Sequence, residues 1–338
     1  MSHRETSTSN SDSALSQGEL LSPQRAGCEP IPPRWLWATN RFRMETENRR
    51  TRRYGKYGRQ HWLLLHFLMG TLKIVLKASR QYNRGLRNAR RIRVEEIDLP
   101  LEALPPAFDG YTILHVSDPH FDAMPGLAQQ AAELWGGRTV DACVLTGDYR
   151  RHSHGLHREA IRGLEHLLKS IPTRDGVFGV LGNHDDCHMV QSLESLGVAM
   201  LINEHALVRR GDQSLRFVGV DDVHYYFTDQ AVDVLERTAD GTFRILLAHS
   251  PELFAEAAEL GVNLYLCGHT HGGQVCLPGG VPVICHLDKG RRFARGLWRY
   301  KGMVGVTNRG LGTSGPAVRF NCPGHLLLLR LRRGTEHV

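Results

Sequence analysis

Gly268-His269-Thr270-His271-Gly272-Gly273-Gln274 follows directly on the apolar run Val262-Asn263-Leu264-Tyr265-Leu266-Cys267, and this junction decides how the chain is read. A short run rich in Leu, Val and Tyr, bounded by Gly, has the profile of a buried strand. The two imidazoles that follow lie two residues apart. On an extended end or tight loop such a pair can reach one shared site, whereas on a helix the same spacing points the side chains apart.

Four more junctions repeat the pattern. The run 111–116 leads to Asp118-Pro119-His120, 142–145 to Gly147-Asp148-Tyr149, 177–181 to Gly182-Asn183-His184-Asp185, and 244–248 to His249. Strands laid side by side would bring all five polar clusters to one sheet edge, where open α/β sheets place their ligands. Residues 127–135, 155–170 and 230–238 read as helices between strands, 93–98 alternates as an opening strand, and 325–331 closes the domain. The fold class is therefore α/β.

The converging set is chemically mixed. Asp118 and Asp148 supply carboxylates, Asn183 an amide oxygen, and His120, His249, His269 and His271 imidazoles. This nitrogen and oxygen set without thiolate suits Mn, Fe, Zn or Mg and argues against an iron-sulfur centre. Seven ligands are too many for one tetrahedral ion. A carboxylate such as Asp148 can bridge two cations, and two cations about 3.5–4 Å apart can hold a hydroxide and neutralise a phosphoryl group.

The order D-x-H, G-D, G-N-H-D, H and G-H-x-H resembles the calcineurin-like metallophosphoesterases, over about residues 99–331. The resemblance implies a two-sheet α/β sandwich with helices outside. It assigns one divalent ion to Asp118, His120, Asp148 and His271 and a second to Asp148, Asn183, His249 and His269, with Mn favoured over Fe, Zn or Mg. His184 would stand beside the phosphate as the group that stabilises or protonates the leaving oxygen. The implied reaction is in-line attack of a metal-bridging hydroxide on a phosphodiester or pyrophosphate. The run 268–274 with the tail Arg309-Gly310-Leu311-Gly312-Thr313-Ser314-Gly315 and Arg319-Phe320-Asn321 is similar to a narrower branch. That branch holds membrane-associated bacterial phosphodiesterases and enzymes cleaving UDP-2,3-diacylglucosamine, which implies a lipid-linked nucleotide-sugar substrate. Arg151, Arg309 and Arg319 are the candidate substrate readers.

One departure from the family pattern stands out. Many members carry a second Asp three residues after the Gly-Asp aspartate, orienting the leaving-group histidine, and here Arg151 occupies that place. Its absence removes support for a charged His184, which Asp185, Asp186 or a metal-bound water would have to restore. Arg150 and Arg151 read either as phosphate holders, since a guanidinium matches that geometry with two parallel hydrogen bonds, or as solvated loop residues. His115 reads as a core histidine, His152, His154 and His157 as a surface loop near the site mouth, and Cys187 and His188 as a helix start. The glycines of 310–315 signal a close approach of backbone to the site.

The front of the chain differs. Residues 1–60 are rich in Ser, Thr, Asn and Arg with few aliphatics, the composition of a disordered basic tail, with a small apolar island at 31–37. Residues 41–93 hold 16 Lys and Arg against Glu45 and Glu47, a balance of +14, whereas 94–338 carries −6 of the chain's +7. Residues 61–93 read as a basic amphipathic helix: an apolar stretch 62–76 precedes Lys73, Lys77, Arg80, Arg84, Arg87 and Arg91 at steps of four and three. The apolar stretch falls short of the roughly 20 residues a membrane span needs. It fits a helix lying on an anionic membrane surface, with nucleic acid the weaker partner and a basic helix packed on the catalytic domain the plainer alternative. A signal peptide would lie too deep in the chain and lacks a small-x-small cleavage site, while Arg49-Arg50 and Arg52-Arg53 loosely resemble a twin-arginine signal, which keeps export open as the alternative localisation. Seven cysteines without metal spacing point to free thiols and the cytoplasmic face. Two further readings stand beside the hydrolase of lipid-linked substrates: a nuclease holding its substrate on the basic segment, and a non-catalytic metal-binding membrane scaffold. The oligomeric state has no signature in the sequence.

Overall fold

The computed structural model describes residues 33–51, 58–153 and 155–335, with side chains described from Leu63 onward in the second stretch. Cys28, His154 and most of the front segment, including part of the apolar island, lie outside these residues. Helices α1 (Arg34–Thr51), α2 (Gly58–Ala78) and α3 (Tyr82–Ala89) come first. They are followed by β1 (Arg93–Leu101), β2 (Thr112–Val116), α4 (Leu127–Trp135), β3 (Ala142–Leu145), α5 (Arg158–Leu168), β4 (Val177–Gly179), α6 (Met189–Glu194) and β5 (Val198–Met200). The second half contributes β6 (Glu204–Arg210), β7 (Gln213–Gly219), α7 (Gln230–Arg237), β8 (Phe243–Leu247), α8 (Phe254–Glu259), β9 (Leu264–Cys267), β10 (Gly296–Tyr300), β11 (Met303–Thr307) and β12 (His325–Arg333).

Two six-stranded sheets result, ordered β1-β12-β2-β3-β4-β5 and β10-β11-β9-β8-β7-β6. In the first, β2 to β5 are parallel while β12 runs antiparallel to β2. In the second, β7, β8, β9 and β11 are parallel and the two edge strands are antiparallel. The α/β sandwich expected from the sequence is the fold, with the five motif-bearing strands divided between its sheets rather than collected in one.

Continuous apolar runs form these strands because both faces of each sheet are covered. Ile113, Val144 and Phe178 point inward against Phe217, Ile245 and Leu264 of the other sheet. Their neighbours Leu114 and Cys143 point outward against Leu127, Ala131 and Trp135 of α4 and Leu164 and Leu167 of α5. On the far side Val218, Leu246 and Tyr265 pack against α7 and α8 through Val234, Leu235 and Ala257.

The front segment departs from expectation twice. Residues 34–51, read as part of a disordered tail, form α1, which is docked by buried Trp37, Arg41 and Glu45. Composition missed it because the helix is held by buried polar contacts rather than by an apolar face. Residues 61–93 are not one helix. Arg80 adopts a left-handed backbone (φ 60°) between α2 and α3, so the cationic stripe is broken. α3 then docks through Gly85, where an added Cβ would lie 2.7 Å from the side chains of Val318 and Phe320. No described helix is long and apolar enough to cross a membrane.

The rings of Phe178 and Phe217 stack across the two sheets, 4.4 Å between centroids and 18° from parallel. Phe217→Ala is expected to cost about 3–5 kcal/mol, read as a lower urea midpoint at unchanged m-value.

Candidate metal centre and active site

Each motif begins where a parallel strand ends. Asp118 and His120 follow β2, Asp148 follows β3, Asn183 and His184 follow β4, His249 follows β8, and His269 and His271 follow β9. The turns are sharp: Asp118, His120, Asp148, His269 and His271 all adopt left-handed backbone, with φ of 49°, 41°, 58°, 71° and 51°. Such conformations cost about 1–3 kcal/mol each in non-glycine residues and persist only where the surroundings enforce them. Their concentration on five of the seven candidate ligands is the backbone signature of a functional site.

The donor atoms gather in two sets. In one, His120 Nε2 lies 3.2 Å from His271 Nε2 and 3.6 Å from Asp148 Oδ2, and His271 Nε2 lies 3.5 Å from Asp118 Oδ1. In the other, Asn183 Oδ1 lies 3.0 Å from His249 Nε2 and 2.9 Å from His269 Nδ1. There His249 Nε2 is 3.2 Å from His269 Nδ1 and 3.4 Å from Asp148 Oδ2. Bonds of about 2.1 Å to one ion put its donors about 3.0–3.4 Å apart, close to the 2.9–3.6 Å found. Asp118 Oδ1 is buried without a hydrogen-bond partner, as expected of an atom that a cation satisfies. Asp148 Oδ2 belongs to both sets. The residues therefore fit two divalent ions, the first on Asp118, His120, Asp148 and His271 and the second on Asp148, Asn183, His249 and His269.

Outer contacts set the ligand tautomers. His120 Nδ1 donates to the Arg150 carbonyl at 2.8 Å and His249 Nδ1 to the Thr146 carbonyl at 2.7 Å, leaving each Nε2 lone pair for the centre. Burial pulls His120 down to about 4 and, with the neighbouring imidazoles, holds His269 and His271 well below the usual histidine range. These rings are thus neutral and ready to ligate. Burial pushes Asp118 up to about 6. Burial also opposes charge on Asp148, but His249 and His184 around it hold its pKa well below the carboxylate range, and Asp148 in turn holds His249 well above the histidine range against burial. A cation on His249 Nε2 would displace that proton and favour the Asp148 carboxylate in its place.

A cavity of about 400 Å³ opens onto this centre, lined on one side by Asp148, His184 and His271 and on another by Leu65, Met69 and Leu72 of α2. His184 lines it with a partly exposed ring whose Nε2 stands 4.0 Å from Asp148 Oδ2. Its Nδ1 is buried and unpartnered. Neither Asp185 nor Asp186 replaces the missing carboxylate. Asp185 accepts the backbone N–H groups of Asp148, Tyr149 and Gly182 at 2.7, 3.0 and 2.8 Å, and Asp186 pairs with Arg150 at 2.7 Å.

The arginines divide by position. Arg151 lines the cavity and donates to the Gly315 carbonyl at 2.6 Å. Arg150 is neither solvated nor free for substrate: it is buried and holds the carbonyls of His184 and Gly155, each at 3.0 Å. Arg309 and Arg319, expected to read substrate, do not line the cavity. Arg309 pairs with Glu95, and Arg319 is buried with its donors spent on carbonyls of Gly310, Gly312 and Cys322 at 3.0, 2.6 and 3.0 Å. A Gly-rich context does not reveal that a neighbouring arginine is consumed by those glycines' own carbonyls. The glycines do approach the site, since Gly312 N donates to the Asp118 carbonyl at 2.9 Å. His115 is a core histidine bonded to Thr146 at 2.9 Å, and His152 lies exposed at the cavity.

Sequence reasoning missed Tyr225 and His286, which line the cavity, and His224, whose ring lies 4.3 Å from the His269 ring at a 48° tilt and donates from Nδ1 to Glu252 at 2.7 Å. They sit in no recognisable motif, and only folding brings them to the second ion's side.

Residues 111–273 match the family described as Calcineurin-like phosphoesterase. The chain thus carries a calcineurin-like phosphoesterase domain and is a metal-dependent phosphoric ester hydrolase. It is 25% identical to the uncharacterized metallophosphoesterase YkoQ of Bacillus subtilis (strain 168), over 69% of this chain and 88% of that one. It is 29% identical to phosphodiesterase YaeI of Escherichia coli (strain K12), over 65% of this chain and 82% of the relative. A transmembrane protein with metallophosphoesterase domain of Bos taurus is 30% identical, over 56% of this chain and 47% of its own length.

Asp148 is the carboxylate common to both donor sets, so Asp148→Asn is expected to lower bound divalent metal from two ions per chain to one or none, measured by elemental analysis after gel filtration. Arg309→Gln should leave KM for a small diester within about twofold, whereas Arg151→Gln should raise it about tenfold, the loss of one charge-assisted hydrogen bond.

Proposed function

We propose that the chain hydrolyses a phosphodiester or pyrophosphate whose phosphoryl group sits over Asp148 at the floor of the α2-walled cavity. The observation that carries this reading is the meeting of seven donor residues in two sets that share Asp148 Oδ2. Two divalent ions, when bound, acidify water and disperse phosphoryl charge. Arg151 meets a non-bridging oxygen with its guanidinium. His184 holds a proton at Nε2 for the leaving oxygen, with no carboxylate orienting its other nitrogen. Leu65, Met69 and Leu72 cover the cavity and limit water.

A diester or pyrophosphate is favoured over a monoester because the cavity continues past the donor sets along the apolar wall of α2, leaving room for a second substituent. That wall, with Val275 and Ile284 across from it, suits a lipid-linked group. The outer side of α2 supports placement at an anionic membrane surface: Phe67 and Ile74 are each 69% exposed and Leu64 and Val75 each 55%, beside exposed Lys73 and Lys77. An unpaired apolar face flanked by cations is the pattern of an in-plane interfacial helix.

Metal-stripped protein reloaded with Mn is expected to hydrolyse bis-p-nitrophenyl phosphate faster than p-nitrophenyl phosphate and to prefer UDP-2,3-diacylglucosamine to both, with turnover lost in Asp148→Asn. Two bound metals per chain and no turnover would count for the scaffold reading instead. Phe67→Asp with Ile74→Asp should abolish flotation with phosphatidylglycerol-containing liposomes while bis-p-nitrophenyl phosphate turnover persists. Flotation unchanged in that variant would remove the membrane part of the proposal.

A further inference from the structure

The family match begins at residue 111, yet a fully buried arginine from α1 reaches the back of the site. Arg41 Nη2 donates to the carbonyls of Gly182 and Asp185, at 3.2 and 3.1 Å. Its Nε donates to Glu45 at 3.0 Å, its Nη1 pairs with Asp221, and its guanidinium lies 3.5 Å over the Tyr226 ring. Gly182 and Asp185 are the two ends of the loop that carries Asn183 and His184. Just beyond it, Glu45 Oε1 accepts the Cys187 backbone N–H at 3.0 Å, and Trp37 Nε1 donates to Asp221 at 2.7 Å.

A buried guanidinium is tolerated only where its donors are met. Arg41 meets that demand with the peptide groups that set the loop's path. The Asp185 carboxylate holds the same loop from within. Asn183 Oδ1 must stay near 3 Å from both His249 and His269 to complete the second donor set, and a displacement of about 1 Å at a reacting centre can cost on the order of a hundredfold in rate.

We propose that Arg41 is a positioning residue for Asn183 and His184, which makes α1, a helix outside the matched family region, a working part of this active site. The inference rests on the hydrolase reading for its kinetic arm and on geometry alone for its other arms. Arg41 acts through the 182–185 backbone and touches neither metal nor substrate.

Arg41→Lys keeps a cation for Asp221 and Glu45 but cannot hold two carbonyls with a planar fork. In the full chain, one of the two Mn equivalents should bind about tenfold more weakly while the other is unchanged. Amide hydrogen exchange over 183–187 should quicken, and kcat on bis-p-nitrophenyl phosphate should fall about tenfold with KM within about threefold. Glu45→Gln, which keeps the acceptor for Cys187 and removes the charge facing Arg41, should give the same ordering at smaller size even where Arg41→Lys folds poorly. Trp37→Phe removes the bond to Asp221 and leaves the carbonyl contacts in place, so it should lose stability with Mn affinities and kcat near wild type. Unchanged metal affinity and exchange in both Arg41→Lys and Glu45→Gln overturns the proposal. So does a kcat loss in Trp37→Phe equal to that in Arg41→Lys, which would make α1 a stability clamp alone. Wild-type chain that binds two Mn without hydrolysing any diester would defeat the hydrolase reading, while the affinity and exchange comparisons still judge Arg41.

Discussion

Two loops from neighbouring strands cross so closely that a side chain cannot come between them. A Cβ on Gly147 would stand 2.4 Å from Gly182 N, and one on Gly182 would stand 2.3 Å from Asp148 Oδ1. Hydrogen is the largest substituent either position accepts, and this contact lets Asp148 and Asn183 arrive side by side. The Asp185 carboxylate fastens the crossing by taking backbone donors from both loops. The two donor sets share an oxygen because the loops share this point.

Four of the five remaining ligands are brought to that point against local backbone preference. Left-handed turns at Asp118, His120, His269 and His271 aim side chains from two different sheets at one volume. The strain is held by neighbours that contribute no ligand. Leu311 and Gly312 donate to the carbonyls of Ser117 and Asp118 at 2.9 Å each, and Arg319 ties the 310–312 carbonyls to the turn at His271. Arg150 plays the matching part under His184. The buried arginines Arg41, Arg150, Arg244 and Arg319 each donate to backbone carbonyls, and Arg151 is the candidate reader that faces the cavity.

The helices before the domain surround the site from two directions. α1 braces the Asn183 loop from behind through Arg41 and Glu45. α2 walls the cavity with Leu65, Met69 and Leu72 and leaves Phe67 and Ile74 outward. Joined through 52–57, the two give the front of the chain a hold on both the rigidity of the centre and access to it.

Apolar strands ending in metal-ligand residues were legible without coordinates, because burial on both faces forces a continuous hydrophobic run and a metal site accepts few side-chain types. That is why Ala142–Leu145 was read to the residue, and why the seven donors could be named from their order. Roles that depend on which carbonyl lies nearby were not legible. Arg309 and Arg319 resembled substrate readers until their partners were seen, and Arg41 looked like one charge in a polar tail. His224 and Glu252 gave no signal at all. The sequence alone determined the elements and the chemistry of the donor set, since both follow from residue type and local pattern. Tertiary structure alone decided which polar side chains face the cavity and which are spent holding its walls, since a guanidinium or imidazole takes its role from partners that no local pattern names, at separations from 3 residues for Arg319 with Cys322 to 214 for Arg309 with Glu95.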